Sequence, residues 1–366
     1  MEKLPIQITL DESFFLPEEK CGYQVTRESK QLWAVLLDLL VKFDSVCRKN
    51  GIPYSLDSGT LLGAVRHKGF IPWDNDADVI ILRSDYDRLC NMASSEFEEP
   101  YFWQTNETDP GSLRRHAQLR NSQTTDILMS ETDNGTPLYN YNQGVFLDVF
   151  ILDEVPDDRA ELMHFCNELE CHLNLLWDIK QCYRLSGASA WMTEAQRQAY
   201  RQFEQTVSRY NGTHQHRVGN VSLIPSRKES TLFDKTIFDD LVDYPFEDFH
   251  FLGPRDYETV LSGFYGDWHQ LVIGADAHGQ VILDLYKPYT SYLKSQKPVM
   301  QQLADKEHPV LTLLRRYHGL KEGNVVAFTD ENQRLKHKIK HLRRKIKLLA
   351  AIAILLMLIL LLVIFL

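Results

Sequence analysis

No two cysteines stand at the two-residue spacing of zinc ribbons and dithiol redox sites; the six present (Cys21, Cys47, Cys90, Cys166, Cys171, Cys182) are scattered over 366 residues. That scatter argues against a disulfide framework, and buried thiols in a reducing compartment are expected. The N-terminal stretch MEKLPIQITLDESFF lacks a basic segment followed by an apolar run, so no export signal is expected. No internal repeat is visible. Basic residues are outnumbered outside one segment: positions 336–347 hold seven of the 40 Lys and Arg and none of the 50 Asp and Glu, leaving 33 basic against 50 acidic residues elsewhere. An acidic body excludes nucleic acid as a partner, because displacing counterions from a phosphate backbone requires a basic stripe.

The apolar content is ample, at 44% of the chain, and ends in LLAAIAILLMLILLLVIFL, residues 348–366. As a helix these 19 residues reach roughly 28 Å at ~1.5 Å per residue, close to the ~30 Å hydrocarbon core of a bilayer. A single C-terminal membrane span is therefore expected, with the basic neck on the cytoplasmic side. That orientation places the catalytic body in the cytoplasm, with a bacterial inner membrane as the expected setting. Four N-x-S/T triplets, at Asn106, Asn134, Asn211 and Asn220, are read as chance occurrences.

Along the body, Leu32, Val35, Leu36, Leu39, Leu40, Phe43, Val46 and Cys47 recur at helical spacing, and Asn50-Gly51 supplies a stop. A short strand around Pro53–Leu56, a turn at Ser58-Gly59 and a second helix from Thr60 to Arg66 follow. ADVIIL (77–82) and VFLDVFIL (145–152) are β-branched, apolar runs that read as buried strands. Helical patterns return at about 159–183 and 193–210, and 211–230 reads as loop. The division is an N-terminal extension (1–26), an α/β (α+β) catalytic domain (27–300) with a helical insertion at about 159–210, a linker and basic stalk (301–347), and the span (348–366).

Three features suggest one site. Asp76 and Asp78 flank a single residue at a strand start, and residues i and i+2 of a strand share a face. Two adjacent carboxylates suit a hard divalent cation such as Mg²⁺ or Mn²⁺, which also binds phosphates. Asp148 stands between Leu147 and Val149, where an acid is costly unless paired. At Gly59-Thr60 a missing side chain lets backbone approach a phosphate, while the following helix offers unpaired N–H groups. Arg66, His67 and Lys68 add cationic donors nearby. Each element alone has a plain structural explanation: surface charge for the acid pair, a turn for Gly-Thr, a solvated loop for 66–68, core packing for Trp73. Their order along the chain is that of a two-metal phosphoryl-transfer site.

The run YSLDSGTLLGAVRHKGFIPWDNDADV (54–79) resembles the signature of the LicD family, to which fukutin-related proteins also belong. FFLPEEKCGYQV (14–25), GVFLDVFILDEVPDD (144–158), FYGDWHQL (264–271) and His278-Gly279 reinforce it. The resemblance implies a nucleotidyltransferase-like mixed sheet flanked by helices, and transfer of a phosphorylated alcohol such as phosphocholine from a CDP-alcohol donor to a glycan or lipid-linked glycan, releasing CMP. It further implies Asp76, Asp78 and Asp148 as metal ligands and catalytic carboxylates, and Gly59 and Thr60 as the phosphate turn. Arg66, His67, Lys68, Trp73 and Asp74 complete the motif, and Arg120 is a donor contact. Asn75 departs from the pattern, since many relatives carry Asp there, and LVIGADA replaces the usual proline-containing stretch after FYGDW. Two other readings use the same residues: a D-x-D glycosyltransferase acting on a nucleotide sugar, and a catalytically inactive membrane-bound module for glycan assembly.

Overall fold

The computed structural model describes residues 3–293 apart from 110, 113, 134, 187–193, 221–222, 225–228 and 274–279. The expected stalk, the apolar run 348–366 and His278-Gly279 lie outside them. Among the described residues no helix is long and apolar enough to cross a membrane.

A hairpin of β1 (Glu18–Lys20) and β2 (Tyr23–Val25) leads into α1 (Arg27–Lys49). Thr26 caps α1 by accepting from the Ser29 amide at 3.1 Å, Glu28 sits in the first turn, and Arg48 and Lys49 occupy the last, complementing the helix dipole. Its inward face is wholly buried: Trp33, Val35, Leu37, Leu39 and Phe43 have no exposure. The residues ahead of β1 pack onto the same core through Leu4, Ile6, Ile8 and Leu10, and the Gln7 and Ile8 amides donate to the buried Asp38 carboxylate at 2.7 and 3.0 Å.

Next come β3 (Ser55–Leu56), α2 (Ser58–His67), β4 (Asp78–Leu82) and α3 (Arg83–Glu96), then β5 (Tyr101–Gln104), β6 (Ala117–Asn121) and β7 (Thr125–Leu128). A small ladder, β8 (Thr132–Asp133) with β9 (Thr136–Pro137), precedes the ten-residue β10 (Phe146–Val155). The expected strands at 77–82 and 145–152 are therefore present, with β10 running three residues longer. α4 (Arg159–Ser186) and α5 (Glu194–Ser208) form the helical insertion and pack a small core of their own around Phe165, Leu169, Phe203 and Val207. The segment expected to be loop, 211–230, contains β11 (Arg217–Asn220), which pairs antiparallel with the end of β10. Only Val218 in that strand is strongly apolar, so it forms by completing a ladder that β10 leaves open. β12 (Leu232–Asp234), a hairpin of β13 (Leu241–Phe246) and β14 (Phe249–Pro254), α6 (Tyr257–Tyr265), β15 (Val281–Asp284) and a short α7 (Thr290–Leu293) finish the described chain.

The main sheet has seven strands, ordered β12-β11-β10-β4-β3, with β6 also on β10 and β5 on β6. It is mixed: β4 runs parallel to β10, whereas β6 and β11 run antiparallel to the first and second parts of β10 on its other side. The long central strand is thus paired along both edges near its start, where Asp148 lies. At its other end Asp153, with no exposure, takes both oxygens to Arg83 (2.7 and 2.8 Å), and Arg83 reaches on to Glu204 of α5 at 2.8 Å. Asn211 donates to the same Asp153 at 2.7 Å, and Asn106 donates to the Arg114 carbonyl at 2.6 Å. Cys21, Cys47, Cys90, Cys166 and Cys171 are all thiols, Cys47 and Cys166 being buried.

Candidate active site

The acids gather where the starts of β4 and β10 meet the start of α2. Asp148 and Asp78 are register partners on the two parallel strands, and the Asp148 amide donates to the Ala77 carbonyl at 3.0 Å. Asp76 lies two residues before β4, bordering with Asn75 a cleft lined by Leu32, Leu36, Asp126 and Phe146. Burial, followed by the charges of Asp76, Asp148, Asp57 and Asp74, pushes the Asp78 carboxyl well above the usual carboxylate range. Asp148 goes the other way. Burial would raise it, but the His116 charge and hydrogen bond, the Arg114 guanidinium and the Gln118 amide outweigh that and hold it at about 2.

The approach to the site is under local constraint. Ser58, first residue of α2, has φ +45°, a left-handed conformation that a non-glycine residue adopts at a cost. Asp57 ahead of it is 2% exposed, and burial raises its carboxyl to about 6 against the lowering effect of Ser58. Gly59 leaves room for a neighbouring acid: a Cβ there would lie 2.7 Å from the Asp74 Oδ2 and would push that carboxylate aside. The Thr60 hydroxyl accepts from the Asp78 amide at 2.8 Å, so its side chain fastens the start of β4 to α2. Trp33 of α1 holds the same loop by donating its indole N–H to the Asp74 carbonyl at 2.9 Å.

Arg66, His67 and Lys68 sit at the other end of α2, roughly 10 Å along the helix from Gly59 at ~1.5 Å per residue. Arg66 donates to the Trp268 and Gln270 carbonyls (2.9 and 3.1 Å) and to His67 Nε2 (2.9 Å). His67 is therefore protonated on Nδ1, which faces the Cys21 Sγ at 3.9 Å. Burial and the charges of Arg66 and Lys20 lower His67 to about 4. Lys68, at φ +58°, caps α2 and donates its ammonium to the Val65 carbonyl at 3.0 Å. Trp73 is half-buried, edge-on to Tyr23 and His67. Arg120, 1% exposed, spends its guanidinium inside the protein: Nε on Gln104 Oε1 and Nη1 on the Gly144 carbonyl, both at 2.6 Å, and Nη2 on Gln118 Oε1. It reaches the site through Gln118.

Three residues here escape a reading by motif: Asp57, His116 and Gln118. Asp57 carries the same signal as Asp148, an acid next to a buried apolar strand residue. His116 and Gln118 alternate with Ala117 and Leu119, so a polar face on β6 is legible; which face it opposes is set by pairing Gln118 with Asp148 across the sheet.

Among the described residues, no three acidic, histidine or cysteine side chains are drawn together closely enough to hold a metal as they stand. The chemistry of the donors nonetheless fits a hard cation. They are carboxylate oxygens, and burial together with the four acids around Asp78 raises its carboxyl, an imbalance that a divalent ion would correct.

Residues 51–151 match the family described as LicD/FKTN/FKRP, nucleotidyltransferase domain. Among curated proteins it is similar to the lipopolysaccharide cholinephosphotransferase LicD of Haemophilus influenzae, 33% identical over 145 residues that cover 37% of this chain and 47% of that protein. An uncharacterized protein of Rickettsia prowazekii is 48% identical over 50 residues, covering 14% of this chain and 19% of that one. A second, from Rickettsia typhi, is 48% identical over 50 residues, covering 14% and 16%. The chain spans less than half the length of each of these relatives.

Proposed function

We propose that this chain is a metal-dependent transferase that moves a phosphorylated alcohol, phosphocholine or a similar group, from a CDP-activated donor to a hydroxyl of a cell-surface glycan or its lipid-linked precursor, releasing CMP. The observation that carries this reading is the pairing of Asp78 with Asp148 on adjacent parallel strands within a LicD-family domain. The name of the Haemophilus relative, which includes lipopolysaccharide and cholinephosphotransferase, supports the substrate class.

Asp76, Asp78 and Asp148 would hold Mg²⁺ or Mn²⁺; when bound, the ion supplies positive charge that neutralises the donor's diphosphate and the departing CMP. The protein contributes the rest. The first turn of α2 directs N–H groups toward an anion, and Gly59 keeps that approach open. Arg66 and Lys68 place cationic side chains at the far end of the same helix, with His67 held neutral between them. In the transfer, a bond forms from the acceptor oxygen to the donor's β-phosphorus as the bond from that phosphorus to the bridging oxygen breaks. The hydroxyl proton passes into the carboxylate cluster, where Asp57, outside the three proposed ligands and raised by burial to about 6, is suited to take it. The apolar run 348–366 and its basic neck anchor the protein with this domain on the cytoplasmic side.

Purified full-length protein incubated with CDP-choline, CDP-ribitol or CDP-glycerol, Mg²⁺ and a glycan acceptor should release CMP, and Asp78→Asn should reduce the rate at least a hundredfold. Consumption of UDP-sugars with no turnover of any CDP-alcohol would instead establish the glycosyltransferase reading.

A further inference from the structure

The protein binds one of the two Asp148 oxygens twice. His116 Nε2 lies 2.8 Å from Oδ1, and Gln118 Nε2 donates to the same Oδ1 at 2.6 Å. Among the described residues no hydrogen bond reaches Oδ2. The amide orientation of Gln118 is determined, since its Oε1 accepts from Arg120, a side chain that can only donate, so its NH₂ must face Asp148. Arg120 is itself immobilised by Gln104 and Gly144. His116 is held from the other side, its ring tilted on Phe150 with centroids 4.6 Å apart. An imidazole nitrogen facing a carboxylate oxygen at this distance must be the donor, so the proton is on Nε2.

We infer that His116 and Gln118 are positioning residues that commit Asp148 Oδ1 to the protein and present Oδ2 alone to a divalent cation. The inference rests on the metal-dependent reading above. Two donors on one oxygen fix the carboxylate's rotation about its Cβ–Cγ bond and give a one-oxygen ligand rather than a chelating one. The alternative, that both donors merely compensate a buried charge, predicts the same contacts but a different response to metal. Donors that orient a ligand typically change metal affinity by about 10- to 100-fold when removed, whereas charge compensation changes stability and leaves affinity alone.

The test is Mn²⁺ binding to the full chain, followed by electron paramagnetic resonance of the free ion, with thermal unfolding measured in parallel. The wild type should bind Mn²⁺, His116→Leu should bind about 10- to 100-fold more weakly, and His116→Gln, whose amide N–H can reach the same oxygen, should recover most of that loss. In the transfer assay the Leu variant should lose kcat with little change in KM for the donor. A His116→Leu variant that binds Mn²⁺ as tightly as wild type while melting lower overturns the positioning role alone. If His116→Gln binds no better than His116→Leu, the inference also fails, because the restored donor would have had no effect. A wild type that ignores Mn²⁺ removes both this inference and the metal-dependent reading; one that binds Mn²⁺ with the stated variant pattern but turns over no CDP-alcohol removes only the substrate assignment.

Discussion

Replacing Asp78 by Asn should make the protein more stable and inactive, and the stability gain should grow with pH. In the folded protein, burial and the neighbouring acids raise the Asp78 carboxyl well above its ordinary value, so the folded state holds that proton more tightly than the unfolded chain does. The stabilisation from this group is full below the unfolded value, about 3.9, and is lost as pH rises through the raised folded value. Asn has no proton to lose, so its advantage over Asp opens across that window. Each pH unit between the two values corresponds to at most about 1.4 kcal/mol, so the gap widens with pH until the folded value is passed. Solvent screening at a half-buried carboxyl reduces this slope to about 0.5–1 kcal/mol per pH unit, or roughly 1–4 °C in Tm per unit for a domain of this size. Thermal unfolding of both proteins at low salt, with chelator, measures the difference. Adding Mg²⁺ should raise the Tm of the wild type and leave the variant unmoved. A gap that stays constant with pH, or an Asn variant that melts below wild type throughout, would refute the reasoning.

Two further outcomes follow from other parts of the chain. Arg83→Met should cost about 3–5 kcal/mol, because it leaves Asp153 buried with its charge uncompensated and Glu204 with only the Tyr200 hydroxyl; chemical denaturation measures this, and a loss under about 1 kcal/mol would show that Asn211 alone satisfies Asp153. Deleting residues 336–366 should shift the protein from the membrane to the supernatant on fractionation while CDP-alcohol turnover with a soluble acceptor persists.

The parts legible in the sequence were those with an uninterrupted signal. β4 and β10 carry apolar, β-branched runs, and α1 carries a full helical stripe with a Thr cap and basic last turn, so all three could be read from local pattern. β6 could not, because AQLRN places Gln118 and Arg120 where a buried strand usually carries apolar side chains, yet both are at most 1% exposed. The same substitution of polar for apolar residues that hid the strand built the support for Asp148. β11 was hidden for a different reason: its ladder is supplied by a partner nearly seventy residues earlier, and nothing within Arg217–Asn220 announces it. The acids of the site were legible one by one, but which of them share a neighbourhood depends on register. The roles read into Thr60 and Arg120 also shifted with the fold, since the hydroxyl of one and the guanidinium of the other are directed at protein atoms.

Asp78 faces Asp148 on the neighbouring strand, an offset of 70 in the sequence, and Arg83 meets Asp153 at the same offset of 70. The two pairings sit at opposite ends of one two-strand segment and act as a double latch. A slip of a single residue between β4 and β10 would misalign the acids at one end and strand a bare guanidinium at the other, so a misregistered fold is penalised twice. Loops between residues 83 and 145 can therefore change length as long as β6 keeps its register on β10, while the five-residue spacing from Asp78 to Arg83, and from Asp148 to Asp153, cannot change in either strand alone.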